Sequence, residues 1–353
     1  MSGSSLDGLD LAMLYFPSDF YQTKNWRLVK ADTISYSENW TSKLKSGAGQ
    51  KDFNEIHSNF GVYIGDLVKQ FLSTDINQPE LIVVHGHTLY HQPSKGVSVQ
   101  LGAAQAVANV TQIPTMDDFR TQDILLGGQG APLAPTVEHW LYSDHQVFLN
   151  IGGIQNLSVH KSDDIIAFDI GAGNQLLNAL SQEIGKAYDE NGEIAKQGKV
   201  IESLLELGKK NQFYSKEFPK SLSNQWVQDE VIPVFKNDKY SLPDRMATAV
   251  ALVSWSLVFA LEQVGLKNKN ILVSGGGAYN KELINTMEKS LQSSGNTLVI
   301  PDENTINYKE ASLMALMGYL NITGTNNIFG QSTGSKINHC AGNLCIPNSL
   351  PLV

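Results

Sequence analysis

"AFDIGAGNQ", Ala167–Gln175, carries an apolar run into a single carboxylate and follows it with two glycines. A buried strand that ends in Asp169 is a costly structural choice, because a desolvated carboxylate must be paired or hydrogen-bonded. The placement makes sense where the strand ends at a cleft in which the charge does chemistry. Asp169 is therefore the first candidate for a functional residue.

Working outward, short β-rich runs alternate with helical ones. Strands are expected at Leu11–Phe16, Leu81–Val84, Val147–Leu149, Ile165–Phe168, Asn270–Val273 and Thr297–Ile300. Between the first two, Phe60, Ile64, Leu67, Val68 and Phe71 recur at three- and four-residue spacing, which predicts a helix. Further helices are expected at Met246–Val264 and Lys309–Leu320. The alternation predicts an α/β protein. At 353 residues the chain exceeds one comfortable core, so two domains are expected. The glycine- and proline-rich "LLGGQGAPLAP", Leu125–Pro135, is the best boundary candidate. Domain I is placed at 1–130, with the C-terminal tail free to return to it, and domain II at 131–353.

A formal charge of -9 argues against a nucleic-acid or anionic-membrane surface, since both call for concentrated Lys and Arg. It does not exclude a phosphorylated ligand, which backbone N–H groups can hold. "MSGSS" at the start has neither the charge nor the apolar stretch of a signal peptide. The apolar run Met246–Leu261 is short for a membrane span and reads as a buried helix. Cys340 and Cys345 are too few for a disulfide framework or a complete zinc site. The cytoplasm is the expected compartment.

Three turns beside strands have the composition of phosphate cradles: "SGSSLDG" (Ser2–Gly8), "NIGGIQN" (Asn150–Asn156) and "SGGGAYN" (Ser274–Asn280). Glycine allows close backbone approach and positive φ, so that successive N–H groups converge on an anion. None is a Walker A or a Rossmann fingerprint. In the third, a strand runs into three glycines and "NKELINTMEKSL" continues as an amphipathic helix, which predicts glycines at a helix N-terminus.

With these loops in order, the chain resembles the anhydro-N-acetylmuramic acid kinases of the sugar kinase/Hsp70/actin superfamily. The resemblance runs through "MSGSSLDGLD", "HGHTLYHQP", "VQLG", "DDFRTQDILLGGQGAPLAP", "NIGGIQNLS", "FDIGAGNQLLN", "GKAYDENGEIAKQGKV", "PKSL", "SGGGAYN" and "YKEA". It implies two actin-like (ribonuclease H-like) domains, each with a mixed five-stranded sheet, around an interdomain cleft. It implies an ATP-dependent kinase, working with Mg2+, that hydrolytically opens the 1,6-anhydro ring of anhydro-N-acetylmuramic acid. The same sugar is phosphorylated at O6, giving N-acetylmuramic acid 6-phosphate in murein recycling. Asp169 falls on the catalytic base. Gly3, Ser4, Ser5, Asp7, Gly8 and Asp10 fall on the first phosphate loop and Gly152 and Gly153 on the second. Gly275, Gly276 and Gly277 fall on the nucleotide side, and His87, Arg120 and Glu310 on the sugar side. A homodimer is expected.

The chain departs from the family pattern in places. It begins directly on the first loop, so that a leading strand is either missing from the start or absent from domain I. Ile170 and Ala172 replace a threonine and a proline, which removes a hydroxyl next to the base, and "PKSLSNQ" lacks the usual Gly-Arg-Glu. His85, His87 and His91 have the spacing H-x-H-x-x-x-H, which reads either as a metal site or as loop and sugar contacts; the metal ligands stay open. An actin-like ATP-binding protein with reduced kinase activity and a kinase for a different amino sugar are the rival functions. Fold alone does not separate them. Retention of Asp169, Arg120 and Glu310 together speaks against a mere nucleotide scaffold.

Overall fold

The computed structural model describes the chain apart from residues 4–5, 7, 47–51, 162–163, 219 and 350–353. Its strands are β1 (Gly8–Tyr15), β2 (Arg27–Ser35), β3 (Ile82–Val83), β4 (His87–Gln92), β5 (Val97–Leu101), β6 (Thr115–Asp117), β7 (Val147–Ile151), β8 (Ile154–Lys161), β9 (Asp164–Ala172), β10 (Asn270–Ser274), β11 (Thr297–Val299) and β12 (Asn343–Cys345). Two compact units result, Met1–Tyr142 with Tyr308–Val353, and Ser143–Asn307. The division falls at 142/143 and 307/308 rather than at 130/131. The helix Ala134–Leu141 explains the difference: its Val137 and Leu141 join a core with Phe20, Met116, Leu316 and Leu320 of the first unit. The glycine–proline stretch is no boundary. It is tied to the C-terminal segment through Gln129 N–H to Thr333 O (2.8 Å).

In the second unit five strands pair in the order β11-β10-β7-β8-β9. β11, β10 and β7 run parallel, and β8 and β9 are added antiparallel. This is the mixed five-stranded sheet expected. Alternation divides its faces. Val147, Leu149, Ile151, Leu157, Val159 and Phe168 enter one apolar core with the helix Leu242–Gln263, whose Val253 and Leu257 are buried. That helix starts after Ser241, whose hydroxyl accepts from Asp244 N–H at 3.3 Å. Among the described residues it is the one helix long and apolar enough to cross a membrane. Its buried side chains make it a core element here.

In the first unit the described strands pair as β1-β2, β4-β5 and β12-β6-β3 rather than as one five-stranded sheet. Ser2 links two of these groups, bridging Leu9 on one side and His87 on the other. The helix Phe53–Leu72 buries Phe60, Ile64, Leu67, Val68 and Phe71, the spacing read from the sequence. β2, β4, β5, β6, β8 and β12 were not among the expected strands.

Leu257→Ala should lower the stability of the second unit by about 2–5 kcal/mol, the usual cost of emptying a buried leucine site. Denaturant unfolding of the full chain checks this. A change within about 0.5 kcal/mol, as for a surface site, would remove Leu257 from the core.

Candidate active site

In the second unit the candidates gather at the carboxyl ends of β7, β9 and β10, where ligands bind in open α/β sheets. Ser274, Asn150, Asn156 and Asp169 are consecutive partners across β10, β7, β8 and β9. They form a polar row one step beyond the apolar row Val273, Leu149, Leu157 and Phe168. Ser274 Oγ donates to Asn150 Oδ1 at 3.4 Å. The β8–β9 register then slips, because Gln155 pairs with Gly171 and Asn156 with Asp169. Ile170 is the extra residue of a β-bulge, a device that re-aims side chains at sheet ends. Its own side chain is buried in the core.

Asp169 is half-buried. Its N–H donates to Lys220 O at 2.9 Å, and its Oδ2 accepts from Leu222 N–H at 2.7 Å. Desolvation pushes the carboxyl pKa up to about 6, and the Leu222 hydrogen bond opposes the rise. A carboxylate so poised is a competent proton acceptor near neutral pH.

The two glycine turns of this unit lie beside the row. Gly275 has φ of +83°, and a Cβ there would stand 2.6 Å from Asn150 Oδ1. At Gly277 a Cβ would strike Ile151 Cγ2. Only glycine lets this turn lie against the end of β7. The glycines open a 3-10 turn, Gly276–Tyr279, rather than the following helix itself. Asn280 caps that helix, Lys281–Leu291, with its Oδ1 accepting from Leu283 N–H at 3.0 Å. The first N–H groups of such a turn have no partner within it. In the β7–β8 turn, Gly152 O accepts from Asn174 N–H at 2.8 Å and Gly153 O from Gly173 N–H at 2.9 Å. The start of the helix Asn174–Ser181 is thus satisfied internally. Asn174 Nδ2 donates to Ile151 O at 3.0 Å, tying that start to the same strand end.

In the first unit Gly8 needs to be glycine for a different reason: a Cβ would stand 2.6 Å from Ile34 O on β2. Asp10 accepts from Thr33 Oγ1 at 2.7 Å. Gly3 borders the loop, and Ser4, Ser5 and Asp7 lie outside the described residues. Ser2 Oγ is 3.1 Å from Nδ1 of the buried His87, whose pKa desolvation lowers. Arg120 donates to Gly130 O at 2.5 Å and to His85 Nε2 at 3.2 Å. Arginine only donates, so His85 accepts at Nε2 and carries its proton on Nδ1. Burial pulls the Arg120 pKa down to about 10, so it stays cationic at neutral pH, and its Nε is buried without a partner among the described residues.

Gly130 is itself held, its N–H donating to Asp123 Oδ2 at 2.6 Å, while Thr333 Oγ1 donates to Asp123 Oδ1 at 2.6 Å. Glu310 meets solvent, yet desolvation by the protein around it still raises its carboxyl, with Lys309 opposing and Asp10 adding to the rise. Lys309 pairs with the buried Glu138 at 2.7 Å. Charge coupling thus joins Asp10, Arg120 and Glu310, and Ser2 joins their loop to His87. His85 lies near enough to His91 for the two charges to disfavour each other, while His91 Nδ1 sits 3.1 Å from Ser98 Oγ and His87 Nδ1 3.1 Å from Ser2 Oγ. Among the described residues no group of three metal-ligating side chains is placed to hold an ion.

Sequence reasoning missed Leu222, Lys220, Asn174 and Asp123. Leu222 acts through its backbone, which leaves no trace in residue type. Asp123, three residues after Arg120, and Asn174, directly after Gly173, are polar residues inside quoted motifs, and that was the available signal.

A family profile described as "AnmK: Anhydro-N-acetylmuramic acid kinase" matches residues 1–346. The anhydro-N-acetylmuramic acid kinase of Pseudomonas syringae pv. syringae (strain B728a) is 34% identical, over 82% of this chain and 82% of that protein. The protein of the same name from Bacillus cereus (strain AH187) is 29% identical, over 99% of this chain and 98% of its own. Among solved structures, the activator of the 2-hydroxyisocaproyl-CoA dehydratase from Clostridium difficile with bound ADPNP is similar over 86% of this chain and 91% of that one. Its identity of 12% and TM-score of 0.43 are too low to carry an argument.

Proposed function

This chain belongs to the anhydro-N-acetylmuramic acid kinase family, and on that premise we propose that Asp169 is the general base of an ATP-dependent sugar kinase. The substrate is anhydro-N-acetylmuramic acid, the product N-acetylmuramic acid 6-phosphate, and the setting murein recycling. The observation that carries the reading is the half-buried Asp169 carboxyl, raised to about 6 and hydrogen-bonded at the β9 end of a polar row whose other end, at Ser274 and Asn150, meets the Gly275–Gly277 turn.

In this reading Asp169 takes a proton from water as the water attacks the anomeric carbon. The C1–O6 bond breaks, its electron pair staying on O6, and O6 attacks the γ-phosphorus of ATP as ADP leaves. Phosphoryl transfer asks chiefly for positioning and for donors to the phosphate oxygens. Backbone N–H groups of Gly152–Gly153 and Gly275–Gly277 supply them, with the first glycine loop as the further candidate. His87, Arg120 and Glu310 hold the sugar, with Arg120 offering a fixed charge. A Mg2+ accompanying ATP would need only one or two protein carboxylates beside phosphate oxygens and water. Asp10, whose Oδ1 accepts from Thr33 Oγ1 next to the first loop, would be the candidate to supply one and help neutralise the phosphate charge.

With MgATP and a panel of sugars, ADP should form only with the anhydro amino sugar. Rapid sugar-independent hydrolysis, or phosphorylation of an ordinary hexose, would favour the rival functions. Asp169→Asn keeps size and shape but cannot accept the proton, so kcat should fall about a hundredfold or more while sugar and ATP binding survive. Glu310→Gln should instead raise the sugar KM more than it lowers kcat. Steady-state kinetics of both variants read the two roles apart. A wild-type kcat for Asp169→Asn would remove the base assignment.

A further inference from the structure

The "PKSL" stretch has no part in the chemistry above, yet its backbone is what touches Asp169. Lys220 is 9% exposed, and the hydrogen bonds of its side chain go to partners other than Asp169. Its Nζ donates to Tyr214 O at 2.9 Å, with Phe213 O and Gln263 Oε1 each at 3.4 Å. The ring of Phe213 lies 4.9 Å from the same nitrogen. Two residues on, Leu222 N–H holds Asp169 Oδ2, and Lys220 O takes Asp169 N–H. One three-residue segment is thus pinned at one end by a buried cation and clamps the candidate base along its length.

We infer that Lys220 is a positioning residue: by anchoring Lys220–Leu222 to the carbonyls of residues 213 and 214, it keeps the Leu222 amide on the Asp169 carboxylate. The consequence for the reaction rests on the reading of Asp169 as the base. A hydrogen bond to the charged form favours ionisation and desolvation opposes it, so the clamp decides at what pH the base is available. Across the β8–β9 pair Asp169 faces the neutral Asn156. No charged group adds to the Asp169 shift. Among the described residues the Leu222 amide is the one influence that lowers the carboxyl pKa.

The test is the Asp169 titration in the full chain, followed by 13C NMR of labelled aspartate carboxyls, with the signal assigned by its loss in Asp169→Asn. Lys220→Met leaves Tyr214 O with Gln263 Nε2 as donor at 3.3 Å, so little is orphaned. The Asp169 pKa should rise by about one unit in Lys220→Met, as expected from losing a hydrogen bond to a charged group. Lys220→Arg should restore it, and Leu222→Pro, which deletes the amide, should match the methionine variant. Where Lys220→Met does not fold, Lys220→Gln, a neutral donor, should give a smaller rise. An unchanged Asp169 pKa in the folded Lys220 variants, with a rise in Leu222→Pro, overturns the inference, and so does an unchanged pKa in Leu222→Pro. The acid limb of kcat/KM, measured alongside, separates the two claims. If the NMR pKa moves and the limb does not, Lys220 positions Asp169 but Asp169 is not the base.

Discussion

One hydrogen bond, from Leu222 N–H to Asp169 Oδ2, settles whether the end of β9 can carry a usable charge. Desolvation alone favours the neutral acid; a single amide donor pulls the other way, and the balance stands near pH 6. The rest of the second unit serves that balance. The bulge at Ile170 places Asp169 in register with Asn156 and Asn150. The apolar rows behind them bind the sheet to the helix Leu242–Gln263 and give the polar row a rigid support. A carboxylate on a loose loop would relax towards water and lose the elevated pKa.

The first unit fixes its own charged groups in a comparable manner. Arg120 is held by Gly130 O, Gly130 by Asp123, and Asp123 by Thr333 of the C-terminal segment. Glu310 follows Lys309, whose buried pair with Glu138 fixes the helix Glu303–Ile322 on the helix Ala134–Leu141. Breaking such a buried pair on one side leaves an uncompensated charge, so the loss of either partner alone is costly. Each exposed or half-exposed functional group thus rests on a buried polar partner that has no chemical task of its own.

Much of this was legible in the sequence. Where periodicity was strong, as in the helix Phe53–Leu72, or where an apolar run stopped at glycine, as at Ser274, element and turn were placed well. β8 was lost because "IQNLSVHK" mixes buried Gln155 and Ser158 with its apolar residues, and burial of those two depends on partners distant in the chain. Candidate residues were readable where a side chain is itself the proposed group, as for Asp169 and Arg120. The supports were not: a backbone amide at Leu222, or an aspartate whose task is to hold Gly130, is defined by three-dimensional neighbours. The domain boundary was misplaced because Gly and Pro mark turns, and Asp123 binds this turn into the first unit.

The most direct check of the central claim is the pH dependence of kcat/KM for the wild-type chain and for Asp169→Asn, with the anhydro sugar and saturating ATP. A carboxyl raised to about 6 is ionised above that pH and protonated below it. The wild type should therefore lose activity as the pH falls through about 6, and the residual activity of the variant should show no such limb. A limb at the same pH in both proteins would assign the titration to another group and contradict the account.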